Sequence, residues 1–78
     1  MLTAADITAE VFTLMRSTPA DAGMTVDEYT AAGARINTPT TAVAIVVDDE
    51  GGIAVIAAGG VAVFHSVHAA AQHILTLI

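Results

Sequence analysis

The side chains of this 78-residue chain that could carry out chemistry are its carboxylates and three histidines. His65, His68 and His73 follow the acidic segment 48–50, and imidazoles with carboxylates are ligands that suit zinc or manganese. A helix turns by about 100° per residue, so His68 and His73 would point about 140° apart and would not share one ion. The segment 48–50 also lacks the alternating ligand spacing of a calcium loop. We therefore expect no metal site and no cofactor.

A potential base and nucleophile stand side by side at His65 and Ser66, but adjacent side chains rarely point toward a common atom. Ser66 also precedes a segment of helical apolar spacing, where it is expected to cap a helix. The paired glycines do not read as a phosphate-binding loop, because both basic residues are arginines and the pairs flank predicted strands. We predict no catalytic residues and a protein that is not an enzyme.

Charge limits the class of partner. Eight acidic and two basic residues give a net charge of −6 with the histidines neutral. Phosphate backbones are bound through Lys and Arg, so this balance argues against direct nucleic-acid binding and against anionic membranes. A protein with a basic surface is the natural complement. The residues predicted to bind it are Asp21, Asp27, Glu28, Asp48, Asp49 and Glu50. The alternative is that these carboxylates cap helices and keep the protein soluble.

The helices that would position these residues are predicted from capping signals and apolar spacing. Thr3 and Thr25 each stand three residues before an acidic residue, which is the pattern of a capping box, and Ser66 is a third N-cap. Apolar residues recur at helical spacing after each of them. The predicted helices cover about residues 3–17, 25–36 and 66–78.

Strands are predicted where β-branched residues cluster between glycine-containing turns. In the first two strands, apolar residues do not alternate with polar ones, so both faces of the sheet are apolar. Such a sheet is either covered by helices on both sides or uses one face to bind a partner. The predicted strands cover about residues 41–47, 53–58 and 61–65. The expected fold is therefore α+β, a single small domain in the order ααβββα, with a three-stranded antiparallel meander packed with helices.

The acidic residues are expected to gather at one end of this fold. If consecutive elements run antiparallel, the start of the second helix, with Asp27 and Glu28, falls near the segment 48–50 at the end of the first strand. Asp21, in the loop between the two helices, is expected at the same end. The sequence thus predicts an acidic pole that binds a basic surface.

The segment from Val46 to Val55, followed by a strand and a helix with paired alanines, resembles HicB-type antitoxin domains. The proline-rich block that follows the second strand in that family is missing here. The αβββα core is also similar in outline to double-stranded-RNA-binding domains, without their basic contact residues. In length and acidity the chain resembles small phage inhibitors, including anti-CRISPR proteins.

The leading functional hypothesis is a non-catalytic protein-interaction module: a small acidic inhibitor of phage or mobile-element type that occupies a basic surface of a nucleic-acid-handling partner. One alternative is a self-associating accessory module, a homo-oligomer formed through the apolar sheet face or the C-terminal helix. A second alternative is a HicB-like antitoxin domain. The longest run without a charged or strongly polar residue, 51–64, is too short to span a bilayer, so we expect a soluble, cytoplasmic protein.

Overall fold

The computed structural model describes all residues 1–78 and contains two helices and five strands. The elements are α1 (Ala4–Met15), β1 (Thr25–Thr30), β2 (Gly33–Asn37), β3 (Ala42–Val47), β4 (Ile53–Ala57), β5 (Gly60–Phe64) and α2 (Val67–Leu77). The order αβββββα replaces the predicted ααβββα. The fold is α+β, but the predicted three-stranded meander is wrong, because the sheet has five strands.

The five strands form one antiparallel sheet in which every strand pairs with its neighbours in the chain, in the order β1-β2-β3-β4-β5. Short turns permit this arrangement, since antiparallel neighbours need only a tight connection. β3, β4 and β5 lie where the three strands were predicted, and each of their boundaries agrees within one residue. The two additional strands, β1 and β2, come from the segment that was predicted to be the second helix.

The predicted helix at about 25–36 is a hairpin instead. The Thr25 hydroxyl accepts a hydrogen bond from the Asn37 side chain across the hairpin at 3.3 Å, and does not cap a helix. Residues outside the hairpin stabilise its turn. Ala31 O accepts a hydrogen bond from Ala4 N, and Ala32 O accepts one from Val47 N, both at 2.8 Å. Contacts with distant parts of the chain thus override the local helix signal.

α1 begins where its sequence predicts. Thr3 and Asp6 form a complete capping box, in which each side chain accepts a hydrogen bond from the other residue's backbone N–H. The helix ends at Arg16, which adopts the left-handed conformation with φ 56° and donates its N–H to the last turn. α2 begins at the predicted cap, since the Ser66 hydroxyl accepts from Ala69 N at 3.3 Å.

The core lies between one face of the sheet and both helices. The fully buried side chains come from α1, from alternate positions of β2, β3 and β4, and from α2. The largest of them are Ile7, Ile36, Ile45, Ile53, Ile74, Val11, Val43 and Val55. The apolar residues at the end of α2, Leu75, Leu77 and Ile78, are partly buried against this core. The C-terminal helix is therefore part of the fold and does not present a free apolar tail.

Candidate functional site

The structure separates the six carboxylates predicted to bind a partner. Asp48, Asp49 and Glu50 lie in the turn between β3 and β4. Asp21 precedes β1. The first residue of β1, Thr25, pairs with Asn37 on β2, which pairs in turn with Ala42, the first residue of β3. Asp21 therefore lies at the end of the sheet where β3 begins, opposite the turn that follows β3. Strands of six residues put roughly 20 Å between the two ends. The single acidic pole expected from the sequence does not form, because the segment that was to carry it is a hairpin.

Asp27 and Glu28 lie along β1 and point to opposite sides of the sheet. Asp27 is directly opposite Arg35 on β2, and its Oδ2 lies 3.5 Å from Arg35 Nη2. The same oxygen accepts a hydrogen bond from Asn37 Nδ2 at 2.9 Å. Glu28 has no such partner and is exposed. Asp27 is therefore neutralised within the chain, whereas Glu28 remains a solvent-facing charge.

Asp48 has a structural role in its turn. Its Oδ1 accepts hydrogen bonds from Glu50 N at 2.8 Å and from Gly52 N at 2.7 Å. Its backbone pairs with Gly52 as well, since Asp48 N donates to Gly52 O at 2.9 Å. This leaves Asp49 and Glu50 as the two carboxylates of the turn with no hydrogen bond to the chain. Both are exposed.

The histidines do not converge. His68 Nδ1 lies 3.0 Å from Glu10 Oε2 and thereby connects α2 to α1. The His73 ring contacts the Phe64 ring with centroids 5.0 Å apart. No group of three or more His, Asp or Glu side chains is placed to hold a metal ion. His65 and Ser66 do not pair either, since the Ser66 hydroxyl caps α2.

The most distinctive surface is the side of the sheet away from the helices. Residues on β3, β4 and β5 that alternate with core residues point to this side, and all are apolar. We call this surface the open face; it consists of Ala42, Ala44, Val46, Ala54, Ile56, Val61 and Val63. The exposed fractions are 44% for Val46, 39% for Ile56, 63% for Val61 and 62% for Val63. Both helices lie on the other side, so nothing in the chain covers these side chains.

Apart from Ala42, the cross-strand register arranges the open face in two parallel rows, and each row continues onto β2. One row runs Arg35, Ala44, Ile56 and Val61 across β2 to β5, and we call it the Arg35 row. The next row runs Gly33, Val46, Ala54 and Val63, and we call it the Gly33 row. On β2, β3 and β4, a large side chain in one row lies beside a small residue in the other. The face is therefore a pattern of ridges and hollows.

A polar margin borders the open face on β1 and β2. Arg35 pairs with Asp27, and its guanidinium carbon lies 5.7 Å from the centre of the Tyr29 ring. Tyr29 is 60% exposed. An apolar centre beside aromatic and arginine residues is the composition typical of protein interfaces. Sequence reasoning missed this margin because it predicted a helix there, although the alternation of Ala34 and Ile36 with Arg35 and Asn37 is the signal of a strand.

No helix has the length and apolar character needed to cross a membrane. Comparison with protein-family models, with curated proteins and with solved structures finds no significant match to this chain.

Proposed function

We propose that the chain is a non-catalytic protein-interaction module of the cytoplasm that binds protein through its open face. The observation that supports this is a contiguous apolar surface on three adjacent strands, with four aliphatic side chains 39–63% exposed. Large exposed apolar patches rimmed by polar residues mark interaction sites. Here Arg35, Tyr29 and Asp27 supply that rim.

The roles of the polar groups support a non-catalytic function. Ser66 caps α2, His68 contacts Glu10, and Asp48 holds a turn. Each of these groups is committed to a contact that stabilises the fold. A protein that acts by covering a surface needs only shape, apolar area and a charge pattern that matches its partner.

The proposal is tested by affinity purification of the tagged chain from its native cells with two matched variants. Ala44→Glu places a carboxylate in the open face opposite Arg35, whereas Ala9→Glu places the same charge on the exposed side of α1. We expect a polypeptide, either another protein or the untagged chain itself, to be retained by Ala9→Glu and lost with Ala44→Glu. Identical retention by both variants would refute the open face as the binding surface.

A second candidate is the acidic inhibitor that docks on a basic surface of a nucleic-acid-handling partner. The observation that favours it is the β3–β4 turn, in which Asp48 accepts two backbone hydrogen bonds while Asp49 and Glu50 are exposed to solvent. Complementary charge on a fixed loop gives specificity and fast association.

Reversal of the two free carboxylates tests this second candidate. Asp49→Lys with Glu50→Lys leaves the Asp48 hydrogen bonds in place, so we expect stability to change by about 0.5 kcal/mol or less per site. Retention of a basic partner at low salt should fall sharply, and wild-type retention should itself weaken as salt is added. Unchanged retention of every partner at low salt would show that the turn is not a contact.

A further inference from the structure

We infer that the occupant of the open face is a second copy of this chain, packed face to face about a two-fold axis that runs across the strands. This inference rests on the proposed function, because it names the partner of the same surface. In this arrangement each strand lies over its own counterpart in the second copy, antiparallel to it. The interface is then isologous, the commonest form of closed oligomer.

Charge favours this pairing over contact through other surfaces. The chain carries a net charge of −6, yet the outward side of the sheet holds only Asp27 and Arg35, which neutralise each other. The whole net charge therefore lies on the helices, the turns and the helix side of β1. Two copies that meet through their open faces bring no net charge together, whereas contact through other surfaces would bring carboxylates together.

The two rows make the face complementary to itself. When the two-fold axis passes between the rows, the Arg35 row of one copy lies over the Gly33 row of the other. Ile56 then lies over Ala54 of the second copy, Ala44 lies under its Val46, and Arg35 lies over its Gly33. Large side chains enter hollows left by small ones, as required for close packing between two sheets.

The available area fits a weak dimer. Five strands about 4.8 Å apart and about five residues long give a face of roughly 24 by 17 Å. Covering it in both copies removes on the order of 800 Å² from water, an area typical of weak, transient interfaces. The dimer is therefore expected to dissociate on dilution.

Sedimentation equilibrium of the purified, full chain over a wide concentration series tests the inference. For the wild type, the mass should rise with concentration from the chain mass of 7.9 kDa toward twice that value. Ala44→Glu should raise the dissociation constant at least about 100-fold, because the dimer would bury a carboxylate in an apolar interface. Ala9→Glu, which adds the same charge on α1, should associate like the wild type. Circular dichroism checks that each variant is folded.

A monomeric wild type at every concentration would overturn the inference, and so would an Ala44→Glu variant that associates like the wild type. An Ala44→Glu variant that still associates is also the result expected if two copies pair through the free edge of β5, because Ala44 lies two strands away from that edge. If Ala44→Glu fails to fold, Ile56→Thr, which suits a strand, should raise the dissociation constant at least about tenfold. The wild type could be monomeric and still retain another protein in the affinity purification, with that protein lost from Ala44→Glu. This result would support the proposed function and overturn only the dimer.

Discussion

Asp48 shows how a residue that looks like a binding group serves the fold. Its carboxylate is one of three in a row, but it alone accepts hydrogen bonds from the turn, from Glu50 N and Gly52 N. A turn residue that binds the backbone two residues onward is a known role of aspartate. Reversing all three charges would therefore disturb the turn as well as the charge.

Replacement of Asp48 by alanine should lower the free energy of unfolding by about 1–3 kcal/mol, because the N–H of the buried Gly52 loses its side-chain acceptor. Asp49→Ala removes the same charge one residue later and should change stability by about 0.5 kcal/mol or less. Urea unfolding of the two variants measures the difference. Equal effects would show that charge, and not the turn, determines the stability of this segment.

Gly52 lies closely packed against this carboxylate. A Cβ at position 52 would collide with the Asp48 side chain, whereas a Cβ at Gly59 would meet no atom within 4 Å. Because two hydrogen bonds fix the Asp48 carboxylate, we expect Gly52→Ala to lower the melting temperature. Gly59→Ala should leave it unchanged or raise it slightly, since alanine restricts the unfolded chain. A Gly52→Ala variant as stable as Gly59→Ala would contradict this reading of the turn.

At the level of elements, β3, β4, β5 and both terminal helices could be predicted from the sequence, because strand-forming runs between glycine turns and capped apolar periodicities point to the same structures that packing selects. The hairpin of β1 and β2 could not. Thr25 and Glu28 imitate a capping box, and the segment Ala31 to Gly33 reads as a helix interior. The contacts that decide its conformation reach Ala4 and Val47, which no local pattern reveals.

The open face was predictable in part. The apolar character of both sides of the middle strands follows from the alternation of Val43 and Ile45 with Ala44 and Val46. The sequence does not indicate which side of the sheet the helices cover, because three predicted helices would be enough to cover both sides. The loss of one helix to the hairpin leaves two, and both pack on the side of Val43 and Ile45.

The cap of α1 should contribute measurably to stability, because α1 also anchors the hairpin turn through Ala4. Thr3→Ala removes the side-chain acceptor of the capping box and should cost about 1 kcal/mol. Thr13→Ala, on the exposed side of the same helix, should be neutral or stabilise by up to about 0.7 kcal/mol, since alanine is the better helix former. Thermal unfolding of the two variants compares them. Effects of the same sign and size would argue against the cap.

For the molecule as a whole, the two sides of the sheet differ in what they bury. Val55, on β4, is 1% exposed on the helix side, whereas Val63, on the neighbouring β5, is 62% exposed on the open face. The same residue type thus stabilises the fold in one position and remains available for contact in the other. The stability of a single copy is expected to depend on one side of the sheet only.

Valine-to-threonine substitutions at these two positions test this asymmetry. Val55→Thr should cost about 1–3 kcal/mol, because it buries a hydroxyl in the core. Val63→Thr should change stability by about 0.5 kcal/mol or less when the chain is studied at monomeric concentrations. Chemical denaturation monitored by circular dichroism measures both. A large loss from Val63→Thr under those conditions would show that the open face is packed within one copy.

The pairing of the two helices has a consequence for how the chain folds. Glu10 and His68 touch although they are 58 positions apart in the chain, whereas each strand pairs with the strand made just before it. Contacts between distant residues form at a greater entropic cost than local ones. The sheet can therefore form hairpin by hairpin before α1 packs against α2. Synthesis adds α2 after α1 and the strands, so the part of the apolar side of α1 that packs on α2 stays uncovered until α2 has emerged from the ribosome. The risk of misassociation is highest in that interval.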